Sequence, residues 1–130
     1  MKLNPTALIL ALALAGPAAA HHSSAMFDMT KSETLRGSIV SFKWTNPHAW
    51  IELAVPKAGG GADHWMIEMT SPNNLVHQGW KRTSYAPGDK ATIVVHPLRD
   101  GKEGGSLAQA TLPDGTVLGS ATGQASSSTK

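Results

Sequence analysis

The chain has no cysteine, which removes disulfide staples, thiolate metal sites and a lipid-modified cysteine start together. Stability has to come from a packed core or from a bound ligand. Beyond residue 20 no apolar run approaches the roughly 20 residues needed to cross a bilayer, so no membrane span is expected. Charge of one sign is lacking too: once Lys2 is set aside with the leader described below, ten Lys and Arg face nine Asp and Glu. No basic stripe with interleaved aromatics accompanies the basic isoelectric point, and nucleic-acid binding is excluded on that ground. Nucleophile motifs, phosphate-binding glycine loops and dinucleotide fingerprints are all missing.

What is present begins with a leader. Met1-Lys2, the apolar run Ala7 to Ala15, the Gly16-Pro17 break and Ala18-Ala19-Ala20 have the basic end, short apolar core and small terminal residues of a secretory signal peptide. Cleavage is expected after Ala20, which makes His21 the first residue of an exported, periplasmic protein. The 110 residues that remain suffice for one small domain. It is expected to cover 21–118, with an N-terminal arm over 21–34, and to be followed by a disordered tail, 119–130, of linker composition.

Period-two alternation marks the strands. In Leu35–Trp44 the large residues Val40, Phe42 and Trp44 alternate with Ser41 and Lys43, and Gly37 is a candidate bulge. In Ala49–Val55, Ile51, Leu53 and Val55 share one face, with His48, Trp50 and Glu52 on the other. His64–Thr70 places Trp65, Ile67 and Met69 on the core side and His64, Met66 and Glu68 outside. The glycines at 59–61 join these last two segments into a hairpin. A short helix over Asn74–Gln78, closed by Gly79, separates them from the strands Ala91–Pro97 and Ser106–Leu112, with a small hairpin into 116–118. Three strands, a helix and two strands predict an all-β fold, a five-stranded OB-like Greek-key barrel with one short helix between strands 3 and 4. A small β-sandwich is the competing architecture.

Six histidines, His21, His22, His48, His64, His77 and His96, are the main chemical signal. Imidazole suits copper, zinc, nickel and iron. A free His21 chelates a metal through its amine and Nδ1, the arrangement called a histidine brace, and a third nitrogen from elsewhere in the fold completes a T-shaped copper site. His22 offers a competing chelate through the same amine. Cleavage one residue earlier would place a histidine third from the end instead. The amine has a reference pKa of about 7.7–8.0, so metal competes for it near neutral pH.

His48 follows the turn former Asn46-Pro47 and opens the second strand on its outer face; it is the preferred partner. His96 ends the fourth strand, also facing outward, and is the other candidate. Antiparallel pairing sets His48 opposite Thr70 and leaves His64 roughly 20 Å away at strand rise, so those two cannot share a metal. Met26, Met29 and Met66 add thioethers, although Met26 and Phe27 are expected to anchor the arm by packing. Glu52 and Glu68 share a face of the hairpin, where paired carboxylates are more often solvated than catalytic.

The set formed by His21-His22-Ser23, Met26-Phe27-Asp28, Leu35-Arg36-Gly37, Trp44-Thr45-Asn46-Pro47-His48, Trp65 with Glu68, Ser71-Pro72-Asn73, Gly79-Trp80 and Pro87-Gly88-Asp89 resembles a family of small secreted proteins from Gram-negative bacteria known as a domain of unknown function. The resemblance runs from His21 to about Leu118. It implies a periplasmic location and a compact β domain, and no established activity.

The expectation is therefore a periplasmic protein that binds copper through His21, with His48, His22 and His96 as the other candidate ligands, for storage, delivery or tolerance rather than turnover. A metal-free OB-like module that binds a periplasmic protein, a peptide or an envelope component through the face around Trp50 and Glu52 is the alternative. A copper oxidoreductase on the same brace is third, because no substrate groove or supporting acid is visible in the sequence.

Overall fold

A computed structural model of the chain describes residues 24–119. The expected leader, the mature terminus at His21 and His22, and all but the first residue of the expected tail lie outside the described residues. Six strands form one sheet: β1 (Glu33–Lys43), β2 (Trp50–Pro56), β3 (Ala62–Glu68), β4 (Lys90–Pro97), β5 (Gly104–Thr111) and β6 (Val117–Gly119). Their order is β3-β2-β1-β4-β5-β6, and a parallel pairing of β3 with β5 closes the first five into a barrel. The helix α1 (Pro72–His77) lies between β3 and β4 in the chain. This is the OB-like barrel expected, with a short sixth strand added beside β5. No helix among the described residues is long and apolar enough to cross a membrane.

Strand β1 belongs to both halves of the barrel. Its first half pairs with β4, from Glu33↔Val95 to Ser38↔Lys90, and its second half with β2, from Ser38↔Ala54 to Lys43↔Trp50. The handover falls at Gly37, where a Cβ atom would stand 2.1 Å from the carbonyl oxygen of Ala54. Glycine is there because the two backbones touch. The bulge comes later, between Ile39 and Ser41. It leaves Ile39 2% exposed and Val40 38% exposed, so the inward series is Ile39 then Phe42, not the Val40-Phe42-Trp44 alternation of the sequence. An extra residue in one strand breaks the period of two, and pattern alone misses it.

The core gathers Leu35, Ile51, Leu53, Ile67, Ile93, Val95 and Leu107 from the five barrel strands with Leu75, Trp80 and Tyr85 from the segment between β3 and β4. Phe42 packs edge-on against Trp44 and Tyr85, with centroids 5.8 and 6.1 Å away, the geometry that ring quadrupoles favour. Helix α1 starts earlier than its sequence suggests. Ser71 is its N-cap, its hydroxyl accepting from the Asn74 amide at 3.3 Å, and Pro72 fills the first turn. The Trp80 indole donates to the Gly119 carbonyl at 3.1 Å and the Tyr85 hydroxyl to that of Thr111 at 2.7 Å, so both aromatics have partners for their polar tips.

The N-terminal arm is fastened to the end of β4. Phe27 bridges Leu98, the Asp28 amide donates to the Pro97 carbonyl at 2.8 Å, and the Arg99 amide donates to the Met26 carbonyl at 3.0 Å. The Arg99 Nε adds a bond to the Ala25 carbonyl, also at 3.0 Å. Phe27 is 7% exposed yet stands outside the main core cluster, whereas Met26 is exposed. Of the two residues expected to anchor the arm, Phe27 does so.

Candidate functional site

The hairpin of β2 and β3 has the expected register. Trp50 pairs with Glu68, Glu52 with Met66 and Ala54 with His64, and reciprocal bonds between Ala49 and the Met69-Thr70 backbone extend the ladder toward His48. The Thr45 hydroxyl donates to the His48 carbonyl at 3.1 Å across the turn, which contains a cis Asn46-Pro47 peptide. Buried Ala49 follows directly. The backbone that carries His48 is thus held on both sides of the residue.

From this position the His48 side chain leans along the strand and meets the carboxylate of Glu68, Nδ1 against Oε1. Glu68 is the one buried charged residue among those described, only 6% exposed. A carboxylate taken out of water requires a partner, and His48 supplies it. Because the carboxylate accepts, Nδ1 carries a proton, and in the neutral ring Nε2 is then the nitrogen with the lone pair. The side chain of His48 keeps 38% of its surface open to solvent. A histidine held at Nδ1 by a carboxylate has the arrangement that fixes ring orientation in metal-ligating imidazoles and raises their basicity.

His64 repeats the motif on the same face, its Nδ1 donating to Glu52 Oε1 at 2.9 Å, while Glu52 Oε2 accepts from the Ser41 hydroxyl at 3.4 Å. The two glutamates do not pair with each other; each holds a histidine. The sequence placed both glutamates on the outer face but did not identify them as histidine partners. The usable signal was the register, which puts Glu68 diagonally next to His48.

His96 donates from Nδ1 to the Lys31 carbonyl at 2.7 Å. Closure of the barrel sets it in one lateral row with the site, since Glu68 pairs with Ser106 and Ser106 with His96. Two strand spacings separate the Glu68 and His96 backbones, about 10 Å, and the His96 ring is engaged toward the arm. His48 and His64 stand six residues apart in register, about 20 Å along the strands. Among the described residues, no three His, Cys, Asp or Glu side chains group closely enough to hold a metal ion.

The order of groups also bears on hydrolytic chemistry. Ser106 lies across β3 from β2, so Glu68 stands between Ser106 and His48. A nucleophile has to sit at the outer nitrogen of the base, with the acid behind it. This row has the acid in the middle, and it does not form a Ser-His-acid triad.

No curated protein and no solved structure matches the chain. The profile of a family of unknown function, DUF6152, matches residues 9–108, a span that takes in the arm, the barrel through β4, and the His48–Glu68 pair. The chain, with its carboxylate-held histidine on the outer wall of a small barrel, therefore belongs to the DUF6152 family.

Proposed function

We propose that the protein is exported to the periplasm, cleaved after Ala20, and binds copper there through the new N-terminus, with His48 supplying a further nitrogen. His21 contributes its amine and Nδ1, and His48 contributes Nε2. His22 and His96 are the candidates for any remaining position. The role is storage, delivery or tolerance rather than turnover.

The observation that carries the proposal is the His48–Glu68 pair. It combines a buried carboxylate and an Nδ1–H committed to it on a half-exposed ring, which is how a preorganised imidazole ligand is held. One imidazole does not make a copper site. A processed His21, which lies outside the described residues, carries two more nitrogens. The arm that leads to His21 is tied to β4 at Leu98 and Arg99, three residues beyond His96 at most, which gives His96 its place among the candidates.

The test starts from the intact mass of the exported protein, which fixes its terminus. Copper is then titrated into that species and into a version carrying an extra N-terminal Met. Tight binding by the first, weakened at least tenfold in the second, is the expected result. Equal affinity in both removes the N-terminal chelate. If neither form binds copper, the outer face around Trp50 and Glu52 becomes the functional surface, in a metal-free module for a protein, peptide or envelope component.

A further inference from the structure

A separate groove of about 500 Å³ runs over the outer wall where β1, β4 and β5 adjoin. Arg36, Thr92 and Thr111 lie side by side across the three strands, through the pairings Arg36↔Thr92 and Thr92↔Thr111. Lys90, two residues before Thr92, shares that face and is diagonal to Arg36, about 7–8 Å away between backbones. Pro56 and Pro113 form apolar walls. Among the described residues, no carboxylate lines the groove.

The register therefore sets two exposed cations near each other on one face, with no described acid among the groove's lining residues. Among the described residues the Arg36 side chain makes no ion pair or hydrogen bond, and the Lys90 side chain donates only to the Ser38 hydroxyl, at 2.8 Å. The hydroxyls of Thr92 and Thr111 have no hydrogen-bond partner there either. Nearby acids are engaged elsewhere: Asp89 accepts from the Ala86 amide at 2.8 Å and Asp114 from the Thr116 amide at 2.8 Å. Like charges on one sheet face repel, and a bound anion reverses the sign of that interaction. The planar fork of Arg matches two oxygens of a phosphate or carboxylate, and Lys adds a point charge.

We infer that this groove binds a small organic oxyanion, with Arg36 and Lys90 on its phosphate or carboxylate group, the two threonine hydroxyls on its remaining oxygens, and its carbon skeleton against Pro56 and Pro113. The volume lies within the range of small-molecule sites. His48 and Glu68 are not among the residues that line it.

Amide NMR spectra of the exported protein, titrated at constant ionic strength with glycerol 3-phosphate and with citrate, test this. The expected result is saturable shifts confined to Arg36, Lys90, Thr92, Thr111 and their neighbours for at least one of the two. Arg36→Gln and Lys90→Gln, each with an otherwise unchanged spectrum, are expected to weaken that binding at least tenfold, and Arg36→Lys to weaken it less than Arg36→Gln. Thr92→Val gives a second check that leaves both charges in place, with a several-fold loss expected. Equal shifts with sodium chloride, or saturation that the Arg36 and Lys90 variants leave intact, would overturn the inference. So would binding confined to vesicles of phosphatidylglycerol, which would make the groove a membrane contact instead.

Discussion

His48 and Glu68 meet diagonally across the β2–β3 ladder, Nδ1 against Oε1, although the register sets Trp50 and not His48 opposite Glu68. The contact joins a residue just outside a strand to the last residue of its neighbour. It gives a surface imidazole a fixed orientation and a buried carboxylate its partner.

Glu68→Gln keeps the shape of the pair and removes the charge behind the ring. Loss of such a supporting carboxylate lowers metal affinity 10–100-fold in comparable sites, and a copper competition titration is expected to fall in that range. His48→Ala instead leaves the carboxylate buried and unpaired, which is expected to cost about 1–3 kcal/mol of stability in a denaturant titration. Adding Glu68→Ala to His48→Ala should recover part of that loss, because the unpaired charge goes with it.

Gly37→Ala tests the crossing of β1 over β2. The added Cβ would collide with the Ala54 carbonyl oxygen, a backbone atom that no rotamer change can move. Destabilisation of about 3 kcal/mol is expected, the upper end of overpacking costs, measured from the thermal or denaturant midpoint.

The arm clasp depends on Phe27. Phe27→Ala is expected to speed hydrogen exchange at the amides of Asp28 and Arg99, which bond across the clasp, and to leave the core amides of β2 and β3 slow. Thr30, through its hydroxyl and its amide, holds the Asp28 carboxyl below its ordinary value. The stabilisation from the ionised carboxyl is therefore complete above the ordinary carboxylate value and lost as pH falls through the lowered one. The protection of those two amides, measured against their intrinsic exchange rates at each pH, should fall under acid accordingly, and Asp28→Asn should abolish that acid step.

Tyr85 governs the alkaline limit. Burial, with a smaller contribution from the charge of Asp89, pushes its hydroxyl up to about 12. The folded state favours the protonated phenol, so its contribution is intact below the ordinary tyrosine value and declines as pH rises from there toward about 12. Tyr85→Phe removes this titration and is expected to flatten the fall in stability over that window, at the cost of the bond to Thr111.

The elements were largely legible because they are periodic. The alternation in 49–55 and 64–70 carried the register of the hairpin, down to His48 opposite Thr70, but it placed Glu68 on the solvent side, where the structure buries it to 6% exposure beneath His48. The bulge at Val40 was not legible, since one extruded residue leaves the composition of β1 unchanged and shifts its inward series. Helix α1 starts two residues before the expected Asn74, because Ser71 is its cap and Pro72 fills its first turn. The site was half legible: His48 stood out by residue type and position, but its partner depended on how far a side chain leans along a strand. His96 joins the row of Glu68 only through the parallel β3–β5 pairing, a contact between distant segments that no local pattern encodes.

The copper proposal rests on two imidazoles of different origin, one released by cleavage and one held by the barrel. Electron spin-echo spectroscopy of the processed, Cu(II)-loaded protein counts coordinated imidazoles and is the most direct measurement. Two are predicted, His21 through Nδ1 and His48 through Nε2, with the count falling to one in His48→Ala. An unchanged count in that variant would contradict the proposal.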